Sequence, residues 1–156
     1  MLKLYQFCGI RMRSCVAISV LFLYSPQSFA ALGDDASSIN ADEAHLKASV
    51  RVTARQYYSI HEMHTASETV IRQYVSPAGR VFAIAWQGFS PDLQLLLGDY
   101  FNEYLAAASQ TARRGRGVHL ETGDLVVDSG GHMRYVAGRA FLRSQIPSGV
   151  STDELR

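Results

Sequence analysis

Between Tyr57 and Gln87 the chain alternates three runs rich in β-branched and aromatic residues with short turn-forming triplets. The runs are Tyr57 to Thr65, Thr69 to Ser76 and Arg80 to Gln87, and the triplets are Ala66-Ser67-Glu68 and Pro77-Ala78-Gly79. Connections this short suit hairpins and leave no room for a parallel crossover, so the segment predicts a three-stranded antiparallel meander. Next, Ser90-Pro91-Asp92 supplies an N-cap hydroxyl, a proline for the first helical position and an acid for the first turn. Leu93, Leu96, Leu97, Tyr100, Tyr104, Leu105 and Ala108 follow at steps of three and four, which predicts an amphipathic helix of about five turns with one side on a sheet. Its aromatic stripe reads as core.

Thr111 to Gly117 then forms a basic loop containing Arg113, Arg114 and Arg116, which reads as a solvated helix exit. Strand patterns resume at Val118 to Glu121, Asp124 to Asp128 and His132 to Leu142. Residues 31–44 are rich in Ala, Ser, Asp and Gly and read as a loose leader, with a short helix from Asn40 to Ala48. The fold class that follows is α+β: an antiparallel sheet of about six strands, or two three-stranded meanders, packed on one long amphipathic helix. Gly79-Arg80-Val81-Phe82-Ala83 and Gly138-Arg139-Ala140-Phe141-Leu142 echo each other, over too few residues to establish a duplication.

The first thirty residues change the picture of where the domain works. Lys3, Arg11 and Arg13 precede a ten-residue apolar run, Cys15 to Tyr24, and Ser28-Phe29-Ala30 places small residues at the −3 and −1 positions of a signal-peptidase site. The run is well short of the roughly 20 residues that cross a bilayer, so cleavage after Ala30 is expected rather than a permanent anchor. The mature domain, residues 31–156, then keeps 12 of the 15 basic residues against 14 acidic ones. Cys8 and Cys15 both leave with the leader, so neither disulfide nor thiol chemistry is expected afterwards. A periplasmic or secreted destination follows. Near-neutral charge removes the usual reason to expect nucleic acid as a partner, and Lys47 as the single remaining lysine, without a glycine-rich phosphate loop, argues against nucleotide chemistry.

Catalytic and metal-binding patterns are weak. Val127-Asp128-Ser129-Gly130 resembles the turn of an aspartic protease, but such a site needs two carboxylates, and Asp128 comes late, with 28 residues after it. Asp128, Ser129 and His132 lie too close in one turn for a nucleophile-base-acid line. His61-Glu62-Met63-His64 and His132-Met133 bring imidazoles and thioethers together in sequence without the spacing of a zinc protease. No cofactor is expected. Trp86, His132, Arg134 and Arg139 have no evident core role, and if their strand ends meet they form a mixed aromatic and cationic ligand-binding patch.

Arg72-Gln73-Tyr74-Val75, Gly79 to Gly88, Pro91-Asp92-Leu93, Leu97-Gly98-Asp99-Tyr100-Phe101 and Ser129-Gly130-Gly131-His132-Met133-Arg134 together resemble the exported bacterial proteins grouped as domain of unknown function 2844. The likeness runs through nearly all of the mature chain. It implies export and one small domain, and it carries no activity and no catalytic residue. The expectation is therefore a non-catalytic binding or accessory module of the cell envelope, whose partner is an envelope protein or an extracellular ligand. The alternative is a small envelope hydrolase or metal-binding protein using His132 with Asp128, or His61 with His132.

Overall fold

The computed structural model describes residues 31–38, 49–89, 91–111, 117–132 and 135–156. The leader peptide, the helix expected at Asn40 to Ala48, Ser90, most of the basic loop and Arg134 lie outside them. Among the described residues seven strands form one antiparallel sheet, one more than the sequence pattern predicts. They are β1 (Ser49–Ala54), β2 (Ser59–His64), β3 (Val70–Val75), β4 (Val81–Gly88), β5 (Val118–Thr122), β6 (Leu125–His132) and β7 (Tyr135–Leu142). The extra strand, β1, is an edge whose Val50 and Val52 alternate with Arg51 and Thr53.

The order is β1-β2-β3-β4-β7-β6-β5. Two meanders thus meet where β4 pairs with β7, with Ala85 opposite Arg139 and Trp86 opposite Gly138. Pairing at this seam explains why β4 reads as a nearly continuous apolar run: six of its residues in succession, Val81 to Trp86, are buried, because both faces at the centre of the sheet are covered. A bulge between Tyr74 and Val75 on β3, opposite Val81 and Ala83, inserts Phe82 as an extra residue and sends its ring to the second face.

On the first face Met63, Ile71, Ile84, Trp86, Val127, Ala140 and Leu142 pack against Leu96 and Leu97. The helical segment is not the continuous rod that the apolar spacing predicts. It consists of α1 (Leu93–Leu97), a 3-10 turn (Gly98–Tyr100) and α2 (Phe101–Thr111). Asp92, rather than Ser90, caps α1, its carboxylate accepting the Leu95 N–H at 3.0 Å. Gly98 breaks the helix with φ of 52°, and a Cβ there would lie 2.6 Å from the Cβ of Ala31. The chain turns at this point because only glycine leaves space for the entering amino-terminal segment.

That segment is anchored where a loose leader is expected. The Leu32 N–H donates to Leu96 O, Gly33 N–H to Val81 O, Val81 N–H to Asp34 O and Ala36 N–H to Gly79 O. Leu32 is buried in the first-face core.

Part of the second face is covered by the last fourteen residues. Leu155 inserts among Tyr74, Phe82, Ala85, Val126 and Phe141, where it is wholly buried. The Tyr74 hydroxyl locks the tail by donating to Arg156 O at 2.8 Å and accepting the Arg156 N–H at 2.9 Å. Arg72 and Arg139 donate to Arg156 O and Thr152 O, and Tyr58 donates to Glu154. Because Leu155 is the apolar anchor of the tail, Leu155→Ala is expected to lower the unfolding free energy by about 3 kcal/mol, read from the shift of a urea transition with unchanged slope.

Candidate functional site

Antiparallel register carries one row of polar side chains across the second face. Arg51 stands opposite Glu62, Glu62 opposite Arg72, Arg72 opposite Ala85, Ala85 opposite Arg139, Arg139 opposite Asp128 and Asp128 opposite His119. Two clusters result. Glu62 receives Arg72 Nε at 2.7 Å and pairs with His64 Nε2 at 3.0 Å. Asp128 pairs through Oδ1 with His119 Nδ1 at 2.6 Å, and its Oδ2 lies 3.2 Å from Arg139 Nε and 3.1 Å from Nη2. Burial pushes the Asp128 carboxyl upward, but the hydrogen bonds from His119 and Arg139 outweigh it and hold the group below its ordinary value. All three side chains are partly exposed, so the network orients groups more than it stabilises the fold.

This second cluster forms one bank of an open trough of about 630 Å³. Leu155 and Arg156 of the tail close its end, and Gly130 and Ala137 give it a flat floor beside Gln87. Further along the same face of the two strands, His132 pairs with Tyr135, their rings 6.3 Å apart at 30°. Tyr135 also lines a second depression, of about 530 Å³, with Phe89 and the turn at Ser67-Glu68. From Arg139 to Tyr135 is four residues of strand, about 13 Å. The open part of the face therefore runs from a hydrogen-bonded polar end to an aromatic end.

The residues singled out in the sequence fall in different places. Arg139 is in the trough and His132 at its aromatic end, while Arg134 lies outside the described residues. Trp86 is not a surface residue: it is 2% exposed and belongs to the first-face core, its ring lying across Gly138, and Nε1 has no hydrogen-bond partner among the described residues. Asp128 is paired with His119 rather than with His132, which lies four residues further along β6. Ser129 projects to the face opposite Asp128, as strand alternation requires. His61 shares the first face with Val52 and Gln73, so the sheet separates it from His132, and Met63 is part of the first-face core. Among the described residues no group of three or more His, Cys, Asp or Glu side chains is placed to hold a metal ion.

His119 and the tail residues Leu155 and Arg156 escape the sequence reading. The alternation His119-Leu120-Glu121 marks a strand, but only cross-strand register brings its imidazole to Asp128. A larger depression, about 790 Å³, opens on the helix side between Leu32, Asp34, Arg80, Asp99 and Tyr100. Burial foremost, and then the charge of Asp99, raise the Asp34 carboxyl there.

Fold and site together define a small α+β domain built on one sheet, with one face sealed by helices and the other left partly open beside a tail. The chain belongs to the family described as protein of unknown function DUF2844, whose family model matches residues 28–155. No curated protein and no solved structure matches it.

Acid stability should follow the pairings described above. Glu62 and Asp128 are both held below their ordinary values of 4.5 and 3.8, Glu62 by hydrogen bonds from His64 and then Arg72. They contribute stability that is present above those values and is lost as pH falls through the lower values of the folded state. His61, whose burial pushes it below the ordinary 6.5, resists protonation in the folded state, so stability begins to fall already as pH drops below about 6.5. Melting temperature against pH should decline in two stages, and His61→Gln should flatten the upper stage alone.

Proposed function

We propose that this chain is an exported, non-catalytic binding module of the cell envelope whose ligand occupies the trough on the second sheet face. The observation that carries this reading is the trough itself. The helices and the tail cover most of the sheet, yet an open, flat-floored surface with prearranged hydrogen-bonding groups is left between the tail and an aromatic end. The polar groups at its bank are fixed by one another, as a recognition surface needs if little ordering is to accompany binding.

Two features favour binding over hydrolysis. His119 is bonded to Asp128, and its Nε2 lies 3.9 Å from Glu121, so both of its partners are carboxylates. Ser129, the nearest hydroxyl in the sequence, lines the trough, but strand alternation sends its side chain to the face opposite Asp128 and His119. The contacts of His119 therefore run to carboxylates rather than to a hydroxyl.

Export rests on the basic flank, the short apolar run and the Ser28-Phe29-Ala30 site, and the fold is compatible with that cut. Among the described residues hydrogen bonding to the body of the domain begins at Leu32, two positions after the expected cut.

One experiment addresses both halves. The full chain is expressed with a photoreactive residue in place of Ala137 and, as control, in place of Glu103 on α2. Amino-terminal sequencing of the exported protein should give Ala31 first, and the Ala137 probe should yield a reproducible glycan or protein adduct that the control lacks. Uncleaved protein retained inside the cell would overturn the export reading. Absence of any adduct at Ala137 in exported, folded protein would overturn the trough as the binding surface.

A further inference from the structure

We infer that the ligand of the trough is an uncharged oligosaccharide of a few pyranose rings, laid lengthwise from Tyr135 toward Arg139. This rests on the reading of the trough as a binding surface and names what that surface takes.

The aromatic end carries the first part of the argument. Phe89 is 53% exposed and Tyr135 is 45% exposed, and both line the same depression. Two such rings lining one depression form an exposed apolar patch, which is the kind of surface that marks a binding site. They are also held in place. Phe89 O accepts from the buried Thr69 Oγ1 at 2.8 Å, and Gly88 approaches the Thr69 backbone so closely that a Cβ would lie 2.6 Å from Thr69 Cα. Tyr135 belongs to a paired strand and lies against the His132 ring. Fixed, half-exposed aromatic rings match the apolar C–H face that a pyranose presents beside its hydroxyls.

The polar end carries the second part. Asp128 and Arg139 are orientated by their bonds to each other and to His119 and Thr152 O, which leaves the remaining lone pairs of the carboxylate and N–H groups of the guanidinium side by side for a ligand. Vicinal sugar hydroxyls are each both donor and acceptor, and they satisfy such a mixed pair without bringing in a charge. Among the described residues the path carries both signs, Asp128 and Glu68 against Arg139 and Arg156, with Asp128 already paired to Arg139 and His119, so no single charge is favoured along it.

The floor disfavours the main competitor, an extended peptide. At Gly130 and Ala137 it carries no side chain larger than a methyl, so an apolar anchor finds a recess only at the aromatic end. Strand addition is not available either, because β4, β7 and β6 lie inside the sheet and their backbone groups are already paired.

The test is calorimetric titration of the exported protein with uncharged oligomers of β-linked glucose and of N-acetylglucosamine, alongside polygalacturonate and an acidic peptide. Saturable binding of at least one uncharged oligomer is expected. Tyr135→Ala and Phe89→Ala should each weaken it about tenfold or more, whereas Tyr135→Phe should retain it. Ala137→Trp, which fills the floor, should abolish it. Melting curves identify any variant that has failed to fold, and the ring-retaining Tyr135→Phe keeps the test decisive if both alanine variants unfold. Binding of the anionic probes alone, sensitive to Ala137→Trp, would overturn the inference while leaving the trough as the binding surface. Sugar binding indifferent to the Tyr135, Phe89 and Ala137 substitutions would also overturn it, as would no binding by any oligomer. In that last case the photocrosslinking at Ala137 decides separately whether the trough binds anything.

Discussion

The structure depends on the seam between β4 and β7, where the indole of Trp86 lies across Gly138. A Cβ at that glycine would come within 2.5 Å of Trp86 Cζ2 and 2.7 Å of Asp128 O, so any other residue would force the ring or the neighbouring strand aside. This close approach lets the two meanders pair as one sheet, with Ile84 opposite Ala140 and Ala140 opposite Val127 continuing the same layer. Small residues on β7 and a large one on β4 are complementary across the seam. The buried Trp86 Nε1, without a partner among the described residues, accompanies that arrangement and opposes part of the gain from packing the ring.

The same seam fixes the relation between the two faces. With Trp86 and Ile84 committed to the helix side, alternation sends Ala85, Arg139 and Asp128 to the other side, where the tail reaches only part of the surface. Leu155 covers the aromatic cluster of Tyr58, Tyr74 and Phe82, whose rings meet at centroid distances of 5.8 to 6.3 Å. Beyond Arg156 the face is open, and its occupants are small residues, a bonded polar cluster and two exposed aromatic rings. The proposed binding surface is therefore what remains when a short tail seals one end of a wide sheet.

Much of the fold was legible because local patterns and tertiary demands coincide. β2, β3 and β4 follow from period-two runs and three-residue turns. The proline and Asp92 mark the start of the helical segment within a residue or two, and Asp92 itself is the cap. Leu93, Leu96, Leu97, Tyr100 and Tyr104 were correctly read as a core-facing stripe, whereas Leu105 is exposed. The failures share a cause. β1 carries a valine alternation that a solvated edge leaves too short to stand out from a polar leader. The break at Gly98 is imposed by Ala31, which is 67 positions away and invisible to a helical window. Residues 31–36 look like a leader by composition and become structure only because β4 offers them hydrogen-bonding partners. The candidate site follows the same rule: Arg139 stands out in the sequence as a cation without a core role, whereas the burial of Trp86 is decided by what lies opposite it across the seam.

By itself, the sequence determined the element types, the antiparallel class of the sheet, the family and the tripartite leader pattern, since each rests on residues near one another in the chain. The tertiary structure decided which side chains share a face and which charges meet. Asp128 took His119 from β5 and Arg139 from β7, and the tail closed one end of the trough, because pairing register and sheet order bring together residues that no local spacing connects.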